Sequence, residues 1–275
     1  MSHYSSGLLG MLSALSGNMP EWPAKWSSIY LNSARERLAK RADTLDGKLA
    51  ASGLGRLVPE APQITIGSGK HLHLAVLFLD ICNFSDWPSS DHAEQLQVLK
   101  KLNIFMAEML SIVRDYGGHF EKNTGDGLMA YFGGTESELE TASRTACDCA
   151  AVMHAINDYV LTPWFESQSV RPVKFRVGID AGQMTIARVG IPNLAEQRVA
   201  IGSHANIACK IMRFAPHGGI CIGNNVHKYL KDSWKGTTSE LPPTGFVYVR
   251  SQIPYKAWNL NYTPPRPSSH TSLYI

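Results

Sequence analysis

Hydrophobic and polar residues alternate in patterns that predict helices and strands between about residues 71 and 260. The continuous apolar run Leu74–Leu79 is typical of a buried strand, and Ala93–Tyr116 has apolar residues at helical spacing. Strands over His119–Asn123 and Leu128–Phe132 flank Thr124-Gly125-Asp126-Gly127, a hairpin signature. The other predicted elements are helices over Glu138–Tyr159 and His204–Phe214, and strands over Val173–Ile179, Met184–Val189, Gly219–Ile222, Phe246–Arg250 and Lys256–Leu260. This mixture predicts a single α/β (α+β) domain.

The chain divides into three predicted parts. Residues 1–70 form a leader with a helical pattern over Asn32–Leu49, followed by a linker rich in glycine and proline. Residues 71–261 form the α/β domain, and residues 262–275, rich in Pro, Ser and Thr, are expected to be a mobile tail. The apolar patch Leu8–Leu15 is too short to span a bilayer.

Composition narrows the class of protein. The 275 residues are 44% hydrophobic, which is enough for one substantial core, and the net charge of +3 is too small to predict a nucleic-acid groove. Five cysteines without a CxxC pair argue against a disulfide framework or a zinc site. This use of cysteine favours a reducing cytoplasm, and the N-terminus lacks the cationic region of a signal peptide.

Two aspartates stand where a metal site can form. Asp80 follows the buried strand, and Asp126 lies at the hairpin tip between two glycines. Each alone is an ordinary helix cap or turn residue, but carboxylates brought together repel each other, and Mg²⁺ or Mn²⁺ relieves that repulsion. The Ile81 carbonyl is a further candidate ligand, and backbone N–H groups of the following turn, at Phe84, are candidates to hold an anion. No Walker-type glycine loop is present.

The segment from Gly202 to Arg213 carries a second group of polar residues. In a helix, Asn206, Lys210 and Arg213 fall at positions i, i+4 and i+7 on one face. An amide and two cations pointing the same way suit a ribose and a triphosphate, although a solvated helix face has the same pattern.

Four stretches together resemble the class III adenylate and guanylate cyclase catalytic domain. Val76–Ser85 resembles the opening motif, Glu121–Gly127 the second metal motif, and Arg176–Gly182 the next strand and turn. The stretch from Ile201 through Lys210 is similar to the helix that holds the transition state. The motifs occur in the family's order over about half of the chain.

The resemblance implies a ferredoxin-like antiparallel sheet flanked by helices and a head-to-tail homodimer with shared sites. Asp80, Asp126 and the Ile81 carbonyl would hold two divalent ions. The partner subunit would supply Lys122 to the base, with Asn206 and a cation at or near Lys210. The ribose 3′-oxygen would attack the α-phosphorus and release pyrophosphate. Arg250 falls where the family places a triphosphate-binding lysine.

Two positions depart from the family pattern. Val199 stands where adenylate cyclases usually have Asp or Thr to bind adenine, and a valine side chain cannot hydrogen-bond a base. Lys210 stands where arginine is usual, so it keeps the positive charge but lacks the planar guanidinium that binds two oxygens at once. Arg213, nearly one helical turn further on, is placed to supply that guanidinium. The domain is therefore either a degenerate nucleotide binder or an enzyme for another base, and intact Asp80, Asp126 and Asn206 favour the second.

The arrangement of a short leader before one cyclase-like domain resembles the pyrimidine cyclases of the Pycsar antiphage defence system, and so does the amino-acid sequence of Glu121–Gly127. That resemblance implies a manganese-dependent uridylate cyclase whose cyclic UMP is read by a separate effector protein in antiviral defence. The alternatives are a cytidylate cyclase, an adenylate cyclase with a variant base pocket, and a non-catalytic nucleotide sensor. A diguanylate-type enzyme is disfavoured because no GGDEF-like run occurs at the hairpin.

Overall fold

A single mixed sheet of eight strands organises the part of the chain that the computed structural model describes, which is residues 23–49, 69–87, 91–123, 126–191, 195–216, 218–247 and 252–267. The strand order is β2-β3-β1-β4-β6-β8-β7, and β5 pairs with the end of β4. The strands are β1 (Gly69–Ile81), β2 (His119–Asn123), β3 (Gly127–Gly134), β4 (Phe175–Ile191), β5 (Ala195–Ile201), β6 (Ile220–Gly223), β7 (Thr238–Glu240) and β8 (Ala257–Leu260).

Helices connect these strands and cover the sheet. They are α1 (Ser28–Leu49), α2 (His92–Asp115), α3 (Leu139–Ile156), α4 (Thr162–Ser167), α5 (Ser203–Ile211), α6 (Asn224–Tyr229) and α7 (Asp232–Lys235). The pairs β1–β3, β1–β4 and β2–β3 are antiparallel, as expected, but β4 and β6 are parallel. The chain crosses over through α5 between these two strands, and a crossover of this kind returns in the same direction.

The two faces of the sheet are covered by different layers. Successive residues of a strand point to opposite faces, so Ala75, Leu77 and Leu79 join the main core with α2 and α3. Leu74 and Val76 point the other way and pack in a second cluster that includes Ala205 and Ala208 of α5. The same alternation places Asp80 on the α5 face.

Helix α5 lies very close to the sheet because a glycine makes room for it. A Cβ added to Gly178 of β4 would overlap the carbonyl oxygen of Ala208. Ala205, Ala208 and Ile211 are buried, whereas Asn206 and Lys210 are exposed. The apolar side of α5 is therefore fixed on β4, and its polar side is presented outward.

The leader helix α1 is packed on the domain. Leu31 and Leu38 belong to the main core, and the buried Glu108 of α2 accepts hydrogen bonds from Arg37, at 2.6 Å, and from Arg41. The indole N–H of Trp26 donates to the Pro265 carbonyl oxygen at 2.9 Å. Residues 262–267, expected to begin a mobile tail, are thus held against the leader, and 268–275 lie outside the described residues.

Several elements differ from the sequence-based expectation. Two separate strands were expected over Val173–Val189, but β4 is continuous because Gly182 stays extended. The expected strand Phe246–Arg250 is reduced to one bridge between Val247 and Pro254 among the described residues. Strand β5, which the pattern did not indicate, pairs with β4 from Ile191 to Thr185.

No helix within the described ranges combines the length and apolar composition needed to cross a bilayer. The apolar patch Leu8–Leu15 lies outside those ranges.

His154 of α3 makes stability depend on pH. Its ring stacks on Phe175 at 4.1 Å, and burial lowers the pKa of His154 to about 3. The unfolded chain takes up this proton near pH 6.5, so the folded state loses stability as pH falls below that value. Because of this histidine, the wild type should lose about 2 kcal/mol of folding stability between pH 7 and pH 5. We expect His154→Phe, which keeps the stack, to be free of that loss.

Denaturant unfolding of both proteins at pH 5, 6 and 7 measures this difference. His119→Phe is the matched control, because His119 also stacks on an aromatic ring, Tyr131, but is exposed. Parallel pH profiles for the wild type and His154→Phe would contradict the assignment.

Candidate active site

The backbone brings the two predicted metal aspartates together. Asp80 is the next-to-last residue of β1 and pairs with Gly127, the first residue of β3. Asp126 directly precedes Gly127, and its carbonyl oxygen accepts a hydrogen bond from the Ile81 amide at 3.3 Å. The register of β1 and β3 therefore sets both acids and the Ile81 backbone at one end of the sheet.

Arg176 of β4 completes this cluster, and sequence reasoning did not assign it a role. It pairs with Asp80 across β1 and β4, and its Nη2 and Nε lie 2.9 and 3.1 Å from Oδ2 of Asp80. The two side chains are 26% and 25% exposed, so the ion pair is accessible to a ligand. Only the strand register reveals this contact, although Arg176 lies within a motif that resembles the cyclase family.

The chain turns sharply after Ile81. Asn83 has φ 56° and ψ 38°, in the left-handed region that Asn tolerates better than most residues, and a short 3-10 helix begins at Phe84. The Phe84 ring packs on Trp87 with centroids 4.8 Å apart. Burial raises the pKa of the neighbouring Cys82 thiol, which keeps it from adding a thiolate to the site.

The second predicted group lies on α5 and the turn after it. Asn206, Lys210 and Arg213 are all exposed, as their helical spacing predicts. The Lys210 Nζ sits 5.2 Å from the ring centroid of Phe246. Within the described residues, none of the three hydrogen-bonds or forms an ion pair with Asp80 or Asp126. One subunit thus presents the acids and the α5 cluster as two separate groups.

The remaining predicted residues are only partly visible. Val199 is half-buried in β5 and pairs with Ala187 of β4. Lys122 belongs to β2, next to a bulge in its pairing with β3, but its side chain lies outside the described part. Arg250 lies in 248–251, also outside it.

The donor set at the acid cluster fits a hard divalent cation. Two carboxylates and a backbone oxygen are ligands that Mg²⁺ and Mn²⁺ prefer. Among the described residues, no three His, Cys, Asp or Glu side chains converge to form a softer or all-side-chain site. The Asp80 carboxylate is already paired with a cation, the Arg176 guanidinium.

The chain belongs to the adenylate and guanylate cyclase catalytic domain family, whose profile matches residues 67–261. The fold agrees with this assignment: it is a mixed α/β fold with an open sheet flanked by helices. The expected resemblance to class III cyclases is therefore confirmed.

Curated relatives include cyclases with several substrates. The chain is 29% identical over 166 residues to a cytidylate cyclase of Staphylococcus aureus, covering 59% of this chain and 38% of the relative. It is 30% identical over 159 residues to a uridylate cyclase of Burkholderia cepacia, covering 57% and 66% of the two chains. An adenylate cyclase of Anabaena cylindrica is 23% identical, with coverages of 67% and 36%. The chain thus spans between a third and two thirds of these relatives.

Solved cyclase structures share the fold at low sequence identity. The adenylyl cyclase CyaB of P. aeruginosa superposes with a TM-score of 0.60 and 22% identity, covering 73% of this chain and 100% of that one. The guanylate cyclase domain of RhGC from Catenaria anguillulae gives a TM-score of 0.55 at 17% identity, with coverages of 71% and 100%.

Proposed function

We propose that this protein is a nucleotidyl cyclase that converts UTP to 3′,5′-cyclic UMP and pyrophosphate. The observation that carries the proposal is the convergence of Asp80, Asp126 and Arg176 at one end of the sheet in a chain of the cyclase family. Paired acids beside a guanidinium suit a triphosphate with its divalent ions, and a ring-closing reaction needs little else from the protein.

Asp80, Asp126 and the Ile81 carbonyl are the residues that would hold two divalent cations, Mn²⁺ or Mg²⁺. Such cations supply charge neutralisation and activation of the ribose 3′-hydroxyl when bound. Arg176 is near enough to bind phosphate oxygens of the same nucleotide, because its guanidinium already contacts Asp80. Backbone N–H groups near Phe84 stand beside the acids for the same purpose.

A head-to-tail homodimer would bring the α5 cluster to these acids. Asn206, Lys210 and Arg213 are exposed and do not contact the acids of their own subunit within the described residues, which supports their delivery by a second copy. Exposed apolar side chains on β2, β4, β5 and the turn after α5 support such an interface, namely Phe120, Val189, Ile201 and Phe214. In this arrangement Asn206 would orient the ribose, and Lys210 or Arg213 would stabilise negative charge on the phosphates.

The base preference rests on Val199 and on the relatives. Val199 offers no hydrogen bond to an adenine amine, which disfavours ATP, while the partner's Lys122, carried on β2, is the candidate base contact. A relative of 30% identity is a uridylate cyclase, and one of 29% identity is a cytidylate cyclase, so CTP is the second candidate. Cyclic UMP acting on a separate effector in the cytoplasm, in antiviral defence, is the wider role that we propose.

Product analysis tests the substrate directly. We expect the purified protein, incubated with equal amounts of ATP, GTP, CTP and UTP plus Mn²⁺, to yield cyclic UMP as the main product by mass spectrometry. Cyclic CMP would move the assignment to the second candidate, and cyclic AMP would overturn the pyrimidine preference. Nucleotide binding without any cyclic product, with Mn²⁺ or Mg²⁺, would identify a non-catalytic sensor.

A further inference from the structure

A buried carboxylate with two hydrogen-bond donors lies beneath α5, away from the acid cluster. Asp180 of β4 is fully buried, and its Oδ2 lies 2.8 Å from Nδ1 of His204. Its Oδ1 accepts a hydrogen bond of 2.6 Å from the Tyr255 hydroxyl. With its proton on Nδ1, His204 donates this hydrogen bond to the carboxylate. Both oxygens are thereby satisfied without exposure to water.

Two glycines let this cluster pack directly against the sheet. A Cβ added to Gly182 would overlap the His204 ring, and one added to Gly223 would overlap the Asp180 carboxylate and the Tyr255 hydroxyl. Any larger residue at either position would therefore displace the hydrogen-bonded side chains. A buried charge is costly unless its partners are fixed in this way.

The two donors belong to two segments that are distant in sequence, α5 and the loop 246–255, which we call the two arms. His204 is the second residue of α5, two positions before Asn206. Tyr255 closes the loop 246–255, because its amide donates to the Phe246 carbonyl oxygen at 2.7 Å. Arg250 belongs to that loop by sequence, and the Phe246 ring faces Lys210 with its Nζ 5.2 Å from the ring centroid.

We propose that Asp180 is a positioning residue that fixes the first turn of α5, the helix carrying Asn206 and Lys210, relative to Tyr255 and the adjoining Phe246. The inference rests on the proposed cyclase function and on shared sites. Through its two hydrogen bonds, one carboxylate sets the placement of α5, whose amide and cation one subunit offers to the nucleotide held by the other. Asp180 therefore acts on its partner's acid cluster rather than on the acids of its own subunit.

A heterodimer with one working site tests this role. Pairing an Asp80→Ala subunit with an Asn206→Ala subunit leaves one intact site, formed by the acids of the second subunit and the arms of the first. We expect Asp180→Asn to lower turnover about 10²-fold when placed in the Asp80→Ala subunit, since small misplacements of positioned groups have effects of that size. In the Asn206→Ala subunit the same change should preserve the activity of the parent pair, because its arms serve the disabled site.

Substitutions of His204 separate hydrogen bonding from packing. His204→Phe in the Asp80→Ala subunit removes the donor, and we expect it to lower turnover strongly while KM changes little. His204→Asn in the same subunit retains an N–H near the Nδ1 position, so it should restore part of the rate. Equal losses from Asp180→Asn in both subunits, or no rescue by asparagine, would show a purely structural role and overturn the inference. An inactive parent heterodimer, shown to assemble, would instead refute the shared site and with it the role of Asp180 across the interface.

Discussion

Replacement of Asp80 or Asp126 by alanine is expected to reduce cyclic nucleotide formation at least about 10³-fold, since charge stabilisation by bound divalent ions contributes several kcal/mol. The two acids adjoin through the pairing of β1 with β3 and the contact of the Ile81 amide with Asp126. A single remaining carboxylate cannot hold two cations next to a triphosphate. In the Asp80 variant, Arg176 also loses its hydrogen-bond acceptor.

Asparagine variants refine this test because they keep the size of the side chain and remove its charge. Asp80→Asn and Asp126→Asn should lose nearly as much activity as the alanine variants, and binding of Mn²⁺, followed by calorimetry, should weaken in parallel. Asp232→Ala is the matched control, since that carboxylate is exposed on α7 and pairs only locally with Lys235. Near-normal pyrophosphate release by either site variant, with the fold intact by circular dichroism, would reject the two-metal site.

The second large effect is expected on α5, where Asn206→Ala should lower turnover about 10²–10³-fold, the usual consequence of losing a group that stabilises developing charge. Lys210→Ala and Arg213→Ala should each slow turnover as well, because both are exposed cations, one on α5 and the other on the turn after it. Stability should change little, as exposed substitutions usually alter it by less than about 0.5 kcal/mol. Initial rates and thermal unfolding of the same samples separate the two effects.

Lys210→Arg provides the conservative partner in this series. It restores the residue usual in the family and supplies a planar fork that binds phosphate at two points, so we expect the rate to be maintained or raised. A rate for Arg213→Ala equal to the wild type would exclude compensation by Arg213 and leave Lys210 as the cation of the site. Unchanged turnover in Asn206→Ala would remove the role proposed for that amide.

The positions of the two acids in the fold follow from local signals in the sequence. An apolar run followed by Asp80, and a hairpin with Asp126 at its tip, are each contained within a few residues, and the strand register joins them as expected. The helical spacing of Asn206, Lys210 and Arg213 likewise predicts their exposure.

The missed features depend on contacts between distant parts of the chain. Arg176 meets Asp80 only because β4 pairs with β1 in one register, and the contact spans 96 residues of sequence. Asp180 meets Tyr255 over a separation of 75 residues. The continuity of β4 through Gly182 was also missed, because glycine commonly ends a strand pattern and here stays extended under the His204 ring. No spacing rule encodes these tertiary contacts.

The ion pair between Arg176 and Asp80 has a thermodynamic consequence. While the guanidinium holds Oδ2 of Asp80, it acts as an internal competitor of any cation at that carboxylate. A polyphosphate that attracts Arg176 relieves this competition, so nucleotide and metal ion strengthen each other's binding, and by linkage the two enhancements are equal. Under the proposed function we therefore expect the chain alone to bind Mn²⁺ weakly and to bind it more tightly once a nucleotide is present.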